Sequence, residues 1–293
     1  MGQGYWVCLI PLALLMAICV SCIRPGALTR EDKVIGWSES YQHKDSGGQA
    51  RSSLMVEHIS WYPRLFLYRS LLTPEECDHI ISVARPNMIK ATVLDGKTKK
   101  QVPNKLRNNK ETYLDGSADD IIQQVERRIA RYTFLPTANG EPLHIMQYLP
   151  GQGYAPHTDF LDDWWHPRLG NERIATMIIY LSDVLEGGET VFPNSTGPVH
   201  VSDPAFSKCA QQGVAVKPVK GDALLLYNLM ENGRNDGASM HQGCPVIRGE
   251  KWTATKRILV NHLPTPEEVS ATKEAIKSAS TSREAMSGQF HTS

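Results

Sequence analysis

Apolar positions in the first half of the chain recur at helical spacing. Thr73 precedes Pro74 and has Glu76 three positions on, which predicts a capped helix start. A second helix is predicted from Ser117, with Asp120 in its first turn. Both predicted helices have one apolar face, made of Cys77, Ile80, Ile81 and Ala84 in the first and Ile121, Ile122, Val125 and Ile129 in the second.

After Pro136 the pattern becomes that of strands. The segments are short, rich in β-branched and aromatic residues, and separated by glycine, proline and asparagine. With no helix between them, they indicate a mainly β fold, an antiparallel sandwich or barrel, whose earlier helices pack on one face of the larger sheet. The predicted strands are LHIMQYL, ERIATMIIYLSDV, GETVFP, GVAVKPV, DALLLYNL and KWTATKRILVNHL.

The first 24 residues form a separate segment. An uncharged apolar run from Val7 to Ile23 ends at Arg24, which is typical of a signal peptide or a short signal anchor. Pro11 interrupts the run, and its length lies between a cleavable core of about 7–15 residues and a full span of about 20. Basic residues follow the run and none precedes it, contrary to the positive-inside rule for an anchor with a luminal C-terminus.

The segments that flank the folded part are polar. Residues 25–55 have the composition of a linker, and residues 264–293 that of a solvated helix or a disordered tail. We therefore predict one domain at 56–263. Lysine plus arginine equals aspartate plus glutamate, at 31 each, so nucleic acid is not an expected partner.

Three of the six cysteines lie in the folded part. In an oxidising lumen, one disulfide between two of Cys77, Cys209 and Cys244 is predicted, with the pairing left open. Asn194 begins a glycosylation sequon, which gives weak support for a luminal domain.

One His-x-Asp pair stands out in a strand-like stretch, APHTDF. Residues two apart on a strand point to the same side, so His157 and Asp159 can direct a nitrogen and an oxygen at one metal ion. A second such pair, His43 with Asp45, lies in the polar linker and is discounted because nothing there fixes it.

Further donors follow about 80 residues downstream. His241 would complete a set of two histidines and one carboxylate, which suits non-haem iron(II), although zinc accepts the same ligands. Lys251 favours iron, because a buried cation can bind the far carboxylate of a 2-oxo diacid that chelates the metal.

Residues 56–263 resemble the plant and green-algal prolyl 4-hydroxylases, relatives of the catalytic domain of collagen prolyl 4-hydroxylase. The resemblance rests on the segments WYPRLFLYRSLLTPEECDHII, GQGYAPHTDF, RIATMIIYLSDVLEGGETVFP, CAQQGVAVKPVKGDALLLYNL and HQGCPVIRGEKWTATK, in this order. It implies a double-stranded β-helix, or jelly-roll, core. It also implies Fe(II), 2-oxoglutarate, dioxygen and L-ascorbate as cofactors and co-substrates.

The resemblance also assigns roles to single residues. The proposed metal ligands are His157, Asp159 and His241, and Lys251 would bind the distal carboxylate of 2-oxoglutarate. The co-substrate pocket would include Tyr148 and Thr190, the peptide site would include Tyr154, Arg173 and Arg107, and Cys209 would pair with Cys244. Trp164 and Trp165 are candidates either for the peptide groove or for packing within their loop.

Two departures from the family pattern bear on the peptide. The family has an Arg-Thr-Ser run where this chain has Arg107-Asn108-Asn109. It often has Lys-Trp-Ile where this chain has Lys256-Arg257-Ile258, which replaces an aromatic residue expected to stack on proline. The reaction is expected to survive both changes, whereas peptide preference could differ.

The resemblance implies hydroxylation of peptidyl proline to 4-hydroxyproline, coupled to decarboxylation of 2-oxoglutarate to succinate and CO₂. The expected substrates are proline-rich secreted or cell-wall proteins met in the lumen of the endoplasmic reticulum or Golgi. The N-terminal segment would anchor the enzyme in the membrane or, if cleaved, release it as a soluble luminal or secreted protein. The alternatives are a dioxygenase for another peptide and a non-catalytic jelly-roll module that retains metal.

Overall fold

The structure, a computed structural model, describes residues 54–94, 101–103, 107–116, 119–160, 172–196 and 205–262. The predicted N-terminal signal segment, most of the linker, the C-terminal tail, Trp164 and Trp165 lie outside these residues. None of the helices described is both long and apolar enough to cross a membrane.

Two α-helices lie between and after the first strands. Helix α1 spans Pro74–Ala84 and has the predicted capping box, in which the Thr73 side chain accepts from Glu76 N and the Glu76 side chain accepts from Thr73 N. Helix α2 spans Asp120–Thr133, later than the predicted start at Ser117. The Asp119 carboxylate sets this start by accepting a hydrogen bond from the amide of Ile122.

The strands occupy both halves of the chain, so the prediction that helices come first was wrong. Two strands precede α1 and four more precede α2. The first two form an antiparallel hairpin, and the four central residues of the second strand are all buried. The strands are β1 (Met55–Trp61), β2 (Arg64–Arg69), β3 (Ile89–Lys90), β4 (Thr92–Leu94), β5 (Gln101–Pro103), β6 (Lys110–Leu114), β7 (Leu143–Tyr148), β8 (Tyr154–His157), β9 (Arg173–Tyr180), β10 (Glu186–Gly187), β11 (Thr190–Phe192), β12 (Val214–Val216), β13 (Ala223–Tyr227), β14 (His241–Gly243), β15 (Val246–Arg248) and β16 (Lys251–Leu259).

Two antiparallel sheets form the core. The larger has the order β1-β2-β13-β9-β16-β7-β6-β3 and the smaller the order β12-β11-β14-β8. Their facing side chains make one buried apolar cluster, to which the larger sheet contributes Leu65, Leu67, Ile178, Tyr180, Leu224 and Leu226 and the smaller sheet Phe192, Val214 and Val216. This is the predicted mainly β, jelly-roll class of fold.

The two faces of β16 show how the layers are arranged. Alternate residues of a strand point to opposite sides. Lys251, Thr253, Thr255 and Arg257 line a cavity between the sheets. On the other side, Lys256 Nζ forms an ion pair with Glu126 of α2 at 2.5 Å, so the helical layer covers the outer face of the larger sheet.

Candidate active site

The smaller sheet places the two predicted histidine ligands side by side. Strands β8 and β14 pair so that His157 lies opposite His241, and the two imidazole centroids are 4.3 Å apart. Strand β8 ends at His157, so Asp159 lies just beyond the strand rather than within it. Its carboxylate oxygens are 3.9 Å from His157 Nε2 and 4.0 Å from His241 Nε2.

Backbone hydrogen bonds orient both imidazoles. Nδ1 of His157 is 3.0 Å from Ala155 O, and Nδ1 of His241 is 3.0 Å from Ser239 O. A carbonyl oxygen only accepts, so Nδ1 carries the proton in each ring and Nε2 offers a lone pair towards Asp159. Burial, together with the neighbouring His241, lowers the pKa of His157 to about 3, which keeps its imidazole neutral and able to bind a cation.

The third donor is a buried carboxylate that remains ionised. Burial by itself would raise the pKa of Asp159, but the guanidinium groups of Arg257 and Arg173 hold that pKa well below its usual range. Arg257 Nε is 3.3 Å from Asp159 Oδ1. Arg173 donates to the backbone carbonyl of Asp159 at 3.2 Å.

These three side chains fit a divalent transition metal. Their donor atoms all lie within 4.8 Å of one another, and in the part of the chain that the structure describes no other group of three such side chains is this close. Two neutral imidazoles and one carboxylate form the facial set that leaves coordination positions for other ligands on iron(II). The residues present therefore fit the metal that the sequence predicts.

Lys251 lies deep in the same cavity. It begins β16 opposite Tyr148 of β7, and the residue is 4% exposed. Its ammonium donates to Gly188 O at 2.6 Å and lies 5.8 and 5.6 Å from the ring centroids of Tyr148 and Tyr180. Burial lowers its pKa to about 8, although the charge of Glu189 raises it.

One cavity joins His157, Asp159 and His241 to the lysine. Its other walls include Tyr148, Tyr154 and Thr190. The Tyr180 hydroxyl donates to Thr190 Oγ1 at 2.9 Å and so fixes the hydroxyl on the wall. The structure thus brings together the predicted metal ligands and the predicted co-substrate residues.

Of the three predicted peptide-contact residues, Tyr154 and Arg107 lie against each other, and Arg173 lies beside Asp159. The Tyr154 ring stacks on His157 with centroids 3.7 Å apart and lines the cavity. Arg107 forms a backbone bridge to Tyr154, and its guanidinium is 5.4 Å from that ring centroid. Arg173 instead pairs with Glu141 at 2.6 Å, next to Asp159.

A polar group beside the proposed metal ligands was not predicted from the sequence. Arg257, considered only as the replacement for an aromatic residue, is buried and bonds both Asp159 and His144. His144, to which the sequence assigns no role in the site, is 1% exposed, and its Nε2 lies 2.8 Å from Glu111 Oε2. One feature of the sequence could have indicated it. The strand-like run at Lys251–Leu259 contains charged residues, and a central strand of a sheet buries the side chains that it carries.

The structure also locates the predicted covalent features. Cys209 and Cys244 form a disulfide, with Cα atoms 5.8 Å apart, and Cys77 is a free thiol buried on α1. Asn194 is exposed just after β11, where its side chain donates to Gly237 O at 3.2 Å.

Comparison with known proteins agrees with this architecture. The model of the 2OG-Fe(II) oxygenase superfamily matches residues 143–258. Probable prolyl 4-hydroxylase 8 of Arabidopsis thaliana is 43% identical over 79% of this chain and 80% of its own length, and prolyl 4-hydroxylase 5 of the same plant is 41% identical over 76% of each. A viral collagen prolyl hydroxylase from Paramecium bursaria Chlorella virus-1, solved with 2OG, has a similar fold, with a TM-score of 0.50 and 24% identity over 67% of this chain and 96% of the viral one. The chain belongs to the prolyl 4-hydroxylases of the 2OG-Fe(II) oxygenase superfamily.

Proposed function

We infer that this protein hydroxylates peptidyl proline to 4-hydroxyproline and couples this step to the oxidative decarboxylation of 2-oxoglutarate to succinate and CO₂. One observation carries the inference. A buried ammonium, Lys251, shares a single cavity with the His157, Asp159 and His241 cluster. That combination provides for both a chelated metal and a diacid.

Iron is proposed to bind His157, Asp159 and His241. When bound with 2-oxoglutarate and dioxygen, it supplies the oxidising chemistry. The protein's part is to present two Nε2 lone pairs and one ionised carboxylate, which the carbonyls of Ala155 and Ser239 and the guanidinium of Arg257 hold in place.

Lys251 is proposed to bind the distal carboxylate of 2-oxoglutarate. Among the described residues, its ammonium has one hydrogen-bond acceptor, the uncharged carbonyl of Gly188. Both carboxylate oxygens of the nearby Glu189 accept hydrogen bonds from Ser207. Because a buried charge is costly unless an opposite charge meets it, this cation favours a carboxylate ligand.

Tyr148 and Thr190 are proposed to line the same diacid site. Tyr148 lies opposite Lys251 on the adjacent strand, and Thr190 lies on β11 of the facing sheet. Together they enclose the ligand from two sheets, which would exclude water from the reacting groups.

The substrate is proposed to be a proline-rich peptide that approaches the ligands past Tyr154. That ring is half-buried and stacked on His157, so its remaining surface can receive a proline near the metal. Proline-rich segments are already in the polyproline II conformation, which lowers the entropy cost of docking on aromatic side chains. Arg107 and Arg173 would flank this entrance.

The natural substrates are proposed to be secreted or cell-wall proteins, modified in the lumen of the endoplasmic reticulum or Golgi. Three features support this location: the apolar N-terminal segment, the disulfide between Cys209 and Cys244, and an exposed asparagine at the Asn194 sequon. The N-terminal segment would hold the enzyme at the membrane unless it is cleaved.

The test is mass spectrometry of a panel of proline-rich peptides after incubation with enzyme, Fe(II), ascorbate and 2-oxoglutarate, with succinate measured in parallel. Added oxygen on proline is expected with the wild type and a chelator should abolish it. His157→Ala should abolish it too, whereas His79→Ala, a histidine of α1 paired with Asp119, should retain it.

Other outcomes would separate the alternatives. Some peptides could stimulate succinate release while gaining no oxygen on proline. If only such peptides do so, the enzyme carries out the same dioxygenase chemistry on a different substrate. Metal binding without any decarboxylation would mean a non-catalytic binding module. Either result would overturn the proposed activity.

A further inference from the structure

A chain of buried polar side chains leads away from the metal ligands. Arg257 Nε is 3.3 Å from Asp159 Oδ1, and Arg257 Nη1 is 3.1 Å from His144 Nδ1. His144 Nε2 is 2.8 Å from Glu111 Oε2, and Glu111 forms an ion pair with Arg107 at 3.0 Å. The contacts therefore run continuously from Asp159 to Arg107, which bridges to Tyr154.

The Arg257 guanidinium sets the proton positions along this chain of side chains. A guanidinium only donates, so His144 Nδ1 accepts from Arg257. His144 Nε2 must then carry the proton and donate to Glu111. Two guanidinium groups thus balance the charge of two carboxylates on either side of a neutral imidazole. This pairing lowers the free-energy cost of burying these groups.

The main chain fixes the position of Arg257, the member of this group that contacts Asp159. Arg257 lies on β16, whose neighbours in the larger sheet are β9 and β7. It is 7% exposed and faces the cavity, while the adjacent Lys256 faces the helical layer and pairs with Glu126. The two neighbouring cations are similarly buried, but only Arg257 touches a metal ligand.

We propose that Arg257 is a positioning residue for the metal centre. Its Nε–H group fixes Oδ1 of Asp159 and thereby limits rotation of the carboxylate that completes the ligand set. Its Nη1–H group bonds His144, which holds the guanidinium in that orientation. The proposal rests on the proposed function only in taking His157, Asp159 and His241 as the ligands.

The experiment measures metal affinity rather than turnover. Wild-type protein and variants are titrated with Co²⁺ under nitrogen, and the dissociation constant is read from the visible absorption of the bound ion. Arg257→Met should weaken Co²⁺ binding by roughly 10- to 100-fold, the usual effect of losing a group that orients a ligand. Arg257→Lys should recover only part of this loss, since an ammonium cannot bond Asp159 and His144 in one plane.

Lys256→Met is the matched control. It removes a cation of similar burial from the next position of the same strand, so it should cost comparable stability yet leave Co²⁺ affinity within about threefold of the wild type. The thermal midpoint of each metal-free variant, measured in parallel, identifies any that is unfolded.

A double-mutant cycle tests whether His144 acts through Arg257. His144→Leu alone should weaken Co²⁺ binding, but it should add nothing in the Arg257→Met background, because the orienting bond is already gone. Additive losses, or an Arg257→Met protein that binds Co²⁺ as tightly as wild type and Lys256→Met, would overturn the proposal while the ligand set stands. Failure of the wild type to bind Co²⁺ would instead reject the metal site itself.

Discussion

At the scale of single residues, the most informative feature is a cation without a carboxylate partner among the described residues. Lys251 is 4% exposed, and its ammonium meets only a neutral carbonyl and the faces of two tyrosine rings. Carbonyl and ring contacts compensate the loss of water incompletely, as the lowered pKa of about 8 indicates. Binding of an anion would compensate the remaining free-energy cost of burying this charge.

Lys251→Met should therefore raise the KM for 2-oxoglutarate by roughly 10- to 100-fold, because hydrogen bonds to charged groups contribute about 1.5–3 kcal/mol. Lys251→Arg keeps the charge and should retain more of the affinity. Steady-state kinetics at saturating peptide measures the effect, with Lys217→Met, an exposed lysine near the end of β12, as the control. An unchanged KM in Lys251→Met would show that the diacid binds elsewhere.

The same group predicts a pH dependence. In the free enzyme Lys251 loses its proton above a pKa of about 8, whereas a bound carboxylate favours the protonated form. Affinity for 2-oxoglutarate should consequently fall as pH rises, with the KM increasing about tenfold between pH 7 and pH 9. Lys251→Arg should lack this increase because arginine stays charged throughout the range. Parallel pH profiles for the two enzymes would contradict the assignment.

At the scale of elements, periodicity predicted the catalytic strands better than their partners. Alternation placed His157 and Asp159 on one side, although β8 in fact ends at His157. The capping box at Thr73 was visible in the sequence because its contacts are local. By contrast, the two strands before α1 were missed. Strand β1 pairs with β2, and β2 is held in the larger sheet by β13, which lies more than 150 residues downstream.

A glycine next to the smaller sheet gives a prediction at this scale. Gly213 precedes β12, and a Cβ atom there would lie 2.0 Å from the carbonyl oxygen of Phe192 at the end of β11. Gly213→Ala should force these two strands apart and lower the free energy of unfolding by about 2–3 kcal/mol or more. Urea denaturation measures this change.

Gly237→Ala is the control for that substitution. A Cβ atom at Gly237 meets nothing within 4 Å, so the loss should stay within about 0.5 kcal/mol. Equal stability of the two variants would mean that the backbone near Gly213 adjusts freely, contrary to a tightly paired β11–β12 edge.

At the scale of the whole molecule, the site exists because the chain folds back on itself several times. His157 and His241 meet only through the β8–β14 pair, and His144 meets Arg257 because β16 lies beside β7. The family resemblance predicts the contact between His157 and His241, since it assigns both residues as metal ligands. It could not predict the contact between His144 and Arg257, because Arg257 departs from the family pattern and its partners depend on the register of three strands.

The disulfide constrains this long-range geometry. Cys244 lies three residues after the proposed ligand His241, and Cys209 lies 35 residues before Cys244, just ahead of β12. Reduction would therefore release the connection between two strands of the smaller sheet. A closed loop of this length stabilises the fold by about 4 kcal/mol through the entropy of the unfolded chain.

We expect reductant to lower the free energy of unfolding of the metal-free protein by about that amount, measured by urea denaturation with and without dithiothreitol. The Cys209→Ala, Cys244→Ala double variant should be as unstable as the reduced protein and should not respond to dithiothreitol, because its remaining thiol in the described domain, Cys77, is already free. If the wild type were equally stable in both conditions, the disulfide would not hold the smaller sheet together, and its stabilising role would no longer support the proposed luminal location.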